Sequence, residues 1–515
     1  MVFNTKSAFD AWEKKGNDGW NWDTMLPYLR RFHTHHQPSN EFLEISSISH
    51  KDAAIDSADG PIQTSYSATT DVDKAWYEAW GSIMKNFKYE GDQLGGFAPP
   101  AAIDPRTRTR SYAATAYYSS SVSSRTNLRV ITEALVEKIV LQKGSEVVAT
   151  GVQFTSKSGQ KFTIKAKKEV VLSAGVVQSP QLLEISGIGS EKLLHQHNID
   201  VIIDNPNVGE NLQDHVMIGM SFEAADGVKT AEAMLRDPKI FESLLAMYQK
   251  DRSGPLGQFF VDSAHIPIPE LFGPKRNETL QALLKNASVE STRSTSDKIH
   301  EDTTMDLLSQ PDGASAHYFM AKIQFNTAGS TKLGEIMSAK TPGNYFTPMF
   351  SLNFPFSRGS IHIASSSPTD KPLIDPKYFS HPMDLELAAR HLQFISVIVQ
   401  TPPLSKYFKE GGRRIPAHAF VGNKPPTLDE AKELIKQNAF TNYHPMGTCA
   451  MGKREEGGVV NERLIVHGTK NLRIVDSSIF PLLPRGNPIT SNYAVAERAA
   501  DLIKEDWNIG HVNVI

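Results

Sequence analysis

A histidine and an asparagine near the carboxyl end of the chain have types and settings suited to chemistry. His444 stands in NAFTNYHPMGTCAMG, where Pro445 and Gly447 constrain the backbone, and histidine is the usual general base near neutral pH. Asn487 lies at a Gly-Asn-Pro turn that opens into a helix. Its amide is suited to hydrogen-bond a substrate oxygen while the helix N-terminus faces a negative group. A hydrogen-bonded structural histidine and a turn-capping asparagine are the alternative interpretations.

Other kinds of catalytic site find little support in the sequence. The single cysteine, Cys449, excludes an intrachain disulfide and a cysteine-based zinc or iron–sulfur site. No histidine pair with a neighbouring carboxylate falls at metal-ligand spacing on a predicted helix, so we expect no metal site. Gly187 and Gly189 follow a predicted helix rather than a strand, and Lys192 stands where a third glycine would be needed. We therefore predict no dinucleotide-binding phosphate loop there.

The composition is typical of a soluble globular chain with more than one domain. The chain has 515 residues, of which 40% are hydrophobic and 22% charged, and its net charge is −3. This near balance gives no general electrostatic reason to bind nucleic acid or an anionic membrane. No apolar stretch is long enough to span a membrane, and the N-terminus lacks the pattern of a secretory signal. The cellular compartment stays open.

Two α/β segments contain the elements that would position the candidate residues. LVEKIVLQ, VVATGVQFTS and QKFTIKA predict an antiparallel meander. The apolar segment KEVVLSAG then predicts a strand of a parallel sheet, followed by a helix with Ser179 as N-cap and Pro180 at its first position. NLRIVDSSIFP and SNYAVAERAADLIKEDW predict a final strand, turn and helix. A strand, tight turn and capped helix is typical of a doubly wound fold, in which ligands bind at the carboxyl ends of the strands.

An α+β block separates these segments. YFMAKIQF, FTPMFSLNF and GSIHIAS predict antiparallel strands, and 383–399 predicts a long helix. The polar stretch 288–304 predicts a surface loop. Earlier in the chain, 71–87 predicts an amphipathic helix whose Trp76 and Trp80 pack in the core.

Several of these segments, taken in order, resemble one family. They are RSYAATAYY, SAGVVQSPQLLEISGIG, NPNVGENLQDH, HPMGTC, VDSSIFP and GNPITSNYAVAERAA. In order and spacing, the sequence resembles the glucose–methanol–choline (GMC) flavoprotein oxidoreductases over essentially its whole length. It is similar in particular to fungal aryl-alcohol oxidases and related dehydrogenases.

The resemblance implies an α/β fold class. A doubly wound, Rossmann-like FAD/NAD(P)-binding domain would carry an inserted α+β substrate domain built on an antiparallel sheet. We expect the FAD-binding domain to comprise 1–60, 125–215 and 438–515. The substrate-binding domain would comprise 61–124 and 216–437.

The resemblance also implies roles for particular residues. His444 matches the family's catalytic base, and Asn487 matches a second position that is His in some members and Asn in others. Val136 matches a residue whose backbone contacts the adenine part of FAD. The segments expected to line the flavin or its ribityl-pyrophosphate chain contain Tyr443, Asp476, Ser477 and Pro488. The implied reaction oxidises a primary alcohol to an aldehyde, with the proton passing to His444 and a hydride to flavin N5. Oxygen or another acceptor would reoxidise the flavin.

The beginning of the chain departs from the family pattern. Family members start with a strand–Gly-x-Gly-x-x-Gly–helix unit for the ADP moiety and later contain a Gly-Gly-Ser/Thr segment. This sequence starts at Met1-Val2-Phe3-Asn4, where the family continues after both. We therefore expect a Rossmann-like domain that is N-terminally incomplete. An incomplete gene sequence is the explanation we favour, because the carboxyl-terminal segments are intact; loss of flavin binding is the other.

Two alternative functions stay open at this point. Some relatives of this kind are hydroxynitrile lyases, which use a similar base to cleave cyanohydrins. A truncated, inactive fragment that acts only as a binding protein is the other alternative. We expect the 216–437 block to determine the substrate. Relatives are often secreted, but this chain carries no signal peptide by which to assign a localisation.

Overall fold

The computed structural model describes residues 1–46, 56–57, 59–86, 94–258, 262–268, 276–287, 294–327, 332–417 and 424–509. The α-helices of these residues, numbered along the chain, are α1 (Lys6–Lys14), α2 (Trp22–Arg31), α3 (Asn40–Ser46), α4 (Asp71–Asn86), α5 (Ala113–Ala116), α6 (Ser120–Ser123), α7 (Gly175–Ile185), α8 (Glu191–Gln196), α9 (Glu232–Arg236), α10 (Pro238–Asp251), α11 (Arg276–Ala287), α12 (Thr295–Ser309), α13 (Leu333–Ile336), α14 (Pro382–Gln400), α15 (Leu428–Asn438) and α16 (Ile489–Asp506).

The strands of the same residues are β1 (His33–His35), β2 (Ile62–Thr64), β3 (Gly95–Phe97), β4 (Ile103–Asp104), β5 (Thr109–Arg110), β6 (Ala134–Gln142), β7 (Val148–Ser156), β8 (Lys161–Lys165), β9 (Val170–Leu172), β10 (Ile188–Gly189), β11 (Ile203–Asp204), β12 (Val216–Gly219), β13 (Ser221–Glu223), β14 (Asp262–Ile266), β15 (Ala316–Ala321), β16 (Tyr345–Leu352), β17 (Ser360–His362), β18 (Leu373–Asp375), β19 (Arg414–Ile415), β20 (Phe440–Thr441) and β21 (Leu472–Ile474). In the part of the chain that the structure describes, no helix combines the length and apolarity needed to cross a membrane.

An antiparallel sheet is the largest sheet among the described residues. Its strand order is β19-β13-β16-β15-β14-β3, and β12 pairs with both β16 and β20. Every residue of the central strand β16 is buried. Such a strand, covered on both faces, lacks the alternation of a half-exposed strand. The expected antiparallel substrate domain is therefore present.

Pro348 lies inside β16, although proline cannot donate a hydrogen bond to a sheet ladder. The strand tolerates it because its partner changes at this point. Met349 pairs with Gly219 of β12, whereas Phe346 pairs with Phe222 of β13. Pro348 faces the break between the two partner strands, where its carbonyl accepts the N–H of Met220 at 3.2 Å.

The α/β part of the fold contains the predicted meander and a parallel strand pair. β6, β7 and β8 form a three-stranded antiparallel sheet. β9 and β21 pair in parallel, with Val170 opposite Leu472 and Leu172 opposite Ile474. The helix α7 begins shortly after β9, and α16 follows β21 after the intervening segment 475–488. The meander, the two strands and the closing helix are confirmed.

The core of the substrate domain also agrees with the sequence. Trp76 and Trp80 of α4 are fully buried, with ring centroids 5.6 Å apart. Trp80 also contacts Tyr318 of β15, at 5.5 Å between centroids. The helix predicted over 383–399 is α14, and it packs on β16. The helix predicted over 71–87 is α4, and residue 87 lies outside the described residues.

The prediction of a surface loop over 288–304 was wrong where the structure describes it. Residues 288–293 lie outside the described residues, and Thr295 onward forms α12. Ser294 and Asp297 form a reciprocal capping box at its start. This box satisfies N–H groups that would otherwise lack partners at the first turn, and it stabilises a helix in a polar sequence.

The predicted N-cap of α7 was wrong as well. The helix begins at Gly175, and Ser179 and Pro180 lie inside it. Pro180 has no N–H to donate to the carbonyl of Val176, one turn earlier. That carbonyl instead accepts the hydroxyl of Thr448 at 2.6 Å. The helix therefore continues through the proline because another part of the chain satisfies the freed carbonyl.

Candidate active site

His444 follows the short strand β20, and Asp214 fixes its backbone. The carboxylate of Asp214 accepts the N–H of His444 at 3.0 Å and the hydroxyl of Thr441 at 2.5 Å. The hydroxyl of Tyr378 donates to the same carboxylate. Burial raises the pKa of Asp214, while these hydrogen bonds oppose that rise.

Three strand ends bring distant residues together around His444. β12 pairs with β16, with Met217 opposite Ser351, and with β20, with Val216 opposite Thr441. Continuing the antiparallel register beyond the strands places His215 opposite Asn353 on one side. On the other side the carbonyl of His215 accepts the N–H of Asn442 at 2.8 Å.

The imidazole of His444 lies between two side chains. Its Nδ1 is 2.9 Å from Nδ1 of His215, and its Nε2 is 3.3 Å from Nδ2 of Asn487. The two rings meet edge to face at 83°. The structure thus brings the two predicted residues, His444 and Asn487, within hydrogen-bonding distance, although they are 43 residues apart in sequence.

Asn487 is held in place by its turn. Gly486, with φ of +67°, donates its N–H to the side-chain oxygen of Asn353 at 3.1 Å. Pro488 is buried and caps α16, where its carbonyl accepts the N–H of Asn492 at 3.0 Å. The side chain of Asn487 is exposed at the start of this helix.

The electrostatic setting keeps the histidines of the site neutral. Burial, together with the nearby rings of His215 and His317, lowers the pKa of His444 to about 2. Burial likewise lowers the pKa of His215 to about 4 and that of His317 to about 3. Since the ordinary histidine pKa is about 6.5, all three rings are uncharged at neutral pH.

Three further predicted residues lie next to the group formed by His444, His215 and Asn487, either in sequence or through hydrogen bonds: Tyr443, Asp476 and Ser477. Tyr443 is half exposed with φ of +57°, and its N–H donates to Thr441 Oγ1 at 2.8 Å. Asp476 accepts the N–H of Gly175 at 3.0 Å and the hydroxyl of Ser179 at 2.6 Å. The carbonyl of Ser477 accepts the N–H of Gly447 at 3.1 Å. Asp476 and Ser477 thereby join the start of α7 to the loop that carries His444.

Val136 lies outside this hydrogen-bonded cluster. It lines a mainly apolar groove of about 350 Å³ between β6, β9 and α7, together with Val171, Leu172, Ser173, Gln178 and Leu182. At the start of α7, a Cβ added to Gly175 would meet nothing within 4 Å. The backbone there is open to close approach by a ligand.

Sequence reasoning missed three residues of the site: Asp214, His215 and Asn353. The first two end the quoted segment NPNVGENLQDH, but no role was assigned to them. An aspartate and a histidine at the end of a polar loop were a usable signal for a functional pair. Asn353 carried no such signal. Among the described residues, no group of three or more His, Cys, Asp or Glu side chains is arranged to hold a metal ion.

Comparisons with known proteins give the family of this chain. Two GMC oxidoreductase family models match residues 2–217 and 355–496. The dehydrogenase mpl7 of Monascus purpureus is 32% identical over 532 residues, which cover 99% of this chain and 82% of the relative.

Solved structures are similar over nearly the whole chain. An FAD-dependent oxidoreductase from Chaetomium thermophilum has a TM-score of 0.84 at 25% sequence identity. The match covers 99% of this chain and 85% of the Chaetomium chain. A fungal aryl-alcohol oxidase has a TM-score of 0.79 at 23% identity, covering 98% and 84%, and shows the shared fold. This chain belongs to the GMC oxidoreductase family of FAD-dependent enzymes.

Proposed function

We propose that this protein oxidises a primary alcohol to an aldehyde, with His444 as the base and Asn487 as the group that orients the hydroxyl. The observation that carries the proposal is the 3.3 Å approach of Asn487 Nδ2 to His444 Nε2. A neutral imidazole beside a hydrogen-bonding amide is suited to take a proton from a hydroxyl that contacts both side chains. The names of mpl7, a dehydrogenase, and of the fungal aryl-alcohol oxidase are consistent with such a reaction.

In this proposal, FAD would lie along one wall formed by the described residues. The groove beside Val136 is mainly apolar, which suits the faces of an adenine ring. The open backbone at Gly175 lies at the start of α7, next to Asp476 and Ser477. Through Ser477 and Gly447 this wall reaches the His444 loop. In the proposal, these residues, with Tyr443 and Pro488, hold FAD.

The division of labour in the reaction follows from the positions of the side chains. FAD, when bound, supplies the acceptor for the hydride that leaves the carbinol carbon. His444 Nε2 takes the hydroxyl proton, so that loss of one proton and one hydride converts the alcohol into the aldehyde. Asn487 holds the hydroxyl oxygen in reach of that nitrogen. Asp214 fixes the backbone of the base through the N–H of His444.

The proposal keeps the two-domain division expected from the sequence. Residues 1–60, 125–215 and 438–515 would bind FAD, and 61–124 and 216–437 would contact the alcohol. Phe97 and His265 of the antiparallel sheet stack at 5.1 Å between centroids, and His317 stacks on His265 at 4.6 Å. These stacked rings, of which His265 and His317 are buried, belong to the part of the chain that the proposal assigns to the substrate-binding domain.

The direct test is to purify the protein with FAD and to add alcohols without oxygen. We expect the visible flavin absorption band, and we expect a benzylic or aliphatic primary alcohol to bleach it. A folded, colourless protein, or a bound flavin that no alcohol reduces, would contradict the proposal. Release of cyanide from a cyanohydrin, without flavin reduction, would identify a hydroxynitrile lyase instead.

A further inference from the structure

The second ring of the site, His215, has no role in the reaction as described so far. It is fully buried and immediately precedes β12. Its Nε2 is 3.1 Å from the backbone carbonyl of Asn353, and its Nδ1 is 2.9 Å from Nδ1 of His444. The ring therefore bridges a fixed carbonyl and the proposed base.

The carbonyl determines where the proton of His215 resides. A backbone carbonyl only accepts hydrogen bonds, so the nitrogen that faces it must carry the proton. Burial lowers the pKa of His215 to about 4, so the ring is neutral and has only this one proton. Nδ1 of His215 is left with its lone pair, which points at His444.

The lone pair of His215 in turn fixes the tautomer of His444. Two ring nitrogens at 2.9 Å form a hydrogen bond only if one of them carries a proton, and that proton must belong to Nδ1 of His444. A neutral imidazole then has a bare Nε2. Asn487 Nδ2, at 3.3 Å from Nε2, is a donor that matches a bare nitrogen.

The opposite arrangement conflicts with both neighbours. A proton on Nδ1 of His215 would leave its bare Nε2 facing the Asn353 carbonyl, two acceptors at 3.1 Å in a buried setting. It would also move the proton of His444 to Nε2, facing the amide N–H groups of Asn487. Each contact therefore favours the same direction of donation. Asn487 donates to His444, His444 donates to His215, and His215 donates to the carbonyl of Asn353.

We infer that His215 is a positioning residue that holds His444 in the Nδ1-protonated tautomer, so that the unprotonated Nε2, to which Asn487 donates, can take the proton of the alcohol when the hydroxyl replaces Asn487 as the donor. When the proton arrives at Nε2, His215 Nδ1 accepts a stronger hydrogen bond from the charged ring of His444. The role in catalysis rests on the proposed function, whereas the tautomer is a property of the chain itself.

The tautomer can be measured by nitrogen NMR on protein labelled with ¹⁵N-histidine, because protonated and bare ring nitrogens have different shifts. The His444→Ala variant identifies the signals of that ring. His215→Leu keeps much of the volume but removes the acceptor. His215→Asn retains an acceptor oxygen near the place of Nδ1, and His195→Leu, at an exposed position on α8, is the matched control.

We expect His444 to be protonated at Nδ1 in the wild type, in His215→Asn and in His195→Leu. In His215→Leu we expect the proton to move wholly or partly to Nε2. In the FAD-loaded protein, His215→Leu should lower kcat by about 10²- to 10⁴-fold with little change in KM, by analogy with other residues that orient a catalytic histidine. His215→Asn should recover activity to within about tenfold of the wild type.

The inference is overturned if His444 carries its proton on Nε2 in the wild type, or if His215→Leu leaves the tautomer unchanged. It is also overturned if His215→Leu shifts the tautomer but reduces flavin as fast as the wild type. Failure of every variant, the wild type included, to reduce flavin contradicts the proposed function alone. In that case the tautomer measurement still decides whether His215 positions His444.

Discussion

The candidate site is a short chain of hydrogen bonds rather than a single reactive group. Asn487, His444 and His215 follow one another at 3.3 Å and 2.9 Å, and the chain ends on the carbonyl of Asn353. Asn353 also accepts the N–H of Gly486 through its side chain. The buried Asn353 therefore anchors both ends of this series of hydrogen bonds. It thereby fixes the distance between the two proposed catalytic side chains, His444 and Asn487.

Replacing Asn487 with alanine tests the residue of this hydrogen-bond series that would contact the substrate. We expect kcat/KM for the alcohol to fall by about 10- to 100-fold, because a single hydrogen bond to the reacting oxygen is lost. The free energy of unfolding should change by less than about 0.5 kcal/mol, since the side chain is exposed. Steady-state kinetics and urea unfolding measure the two quantities, with the exposed Gln196→Ala on α8 as the control. Equal kinetics in both variants would exclude a role for the amide.

At the residue scale, the sequence predicted the two residues whose local settings are unusual. A histidine before Pro445 and an asparagine in a Gly-Asn-Pro turn are visible as patterns. The partner of His444 is not visible in this way, because His215 lies 229 residues away and meets it only through the pairing of β12 with β20. Sheet register brings the two rings together, and register depends on the whole sheet.

At the scale of elements, the helix α7 and the loop that carries His444 stabilise each other. Pro180 removes a backbone donor from the helix, and the hydroxyl of the buried Thr448 replaces it at the carbonyl of Val176. Asp476 joins the same helix to β21 through Gly175 and Ser179. The carbonyl that Pro180 leaves without a donor in α7 therefore forms a contact with Thr448, and this contact positions the loop that carries His444.

Replacing Thr448 with valine removes this contact at almost constant volume. We expect the free energy of unfolding to fall by about 1–3 kcal/mol, because the carbonyl of Val176 stays buried without its donor. Urea unfolding measures the change. Thr163→Val on the exposed strand β8 is the matched control and should stay within about 0.5 kcal/mol of the wild type. A Thr448→Val variant as stable as this control would contradict the account of α7.

Elements with strong periodicity were predicted well, and polar ones were not. The meander, α4, α14 and α16 have clear apolar patterns. In α12, the buried apolar residues Met305, Leu307 and Leu308 come late, and the polar start resembles a loop. The capping box of Ser294 and Asp297 was the signal in the sequence. The start of α7 was misplaced because serine before proline is also the usual pattern of a helix N-terminus.

At the scale of the molecule, buried neutral histidines couple stability to pH. Burial lowers the pKa of His317 and of His391 to about 3, and that of His215 to about 4. In the unfolded chain each ring has a pKa near 6.5 and takes up a proton below it. The stabilising contribution of each ring is therefore present above pH 6.5. It is lost progressively as the pH falls from 6.5 toward the lowered pKa.

Acidification should therefore destabilise the protein well before its carboxylates titrate. Between pH 7.5 and 5.5, we expect each of these rings to reduce the free energy of unfolding by about 1.4 kcal/mol. Urea unfolding at the two pH values measures the total. The His391→Gln variant has one titrating ring fewer. Its free energy of unfolding should therefore fall between the two pH values by about 1.4 kcal/mol less than that of the wild type. An equal loss in both proteins would show that His391 binds a proton in the folded state.

The central claim is that His444 takes the proton when an alcohol is oxidised, and anaerobic single-turnover reduction of the flavin tests it most directly. The wild type, His444→Ala and the exposed control His195→Ala are loaded equally with FAD and mixed with a reactive alcohol. We predict that His444→Ala reduces the flavin about 10²- to 10⁴-fold more slowly and that His195→Ala matches the wild type. Equal rates in His444→Ala and the wild type would contradict the claim.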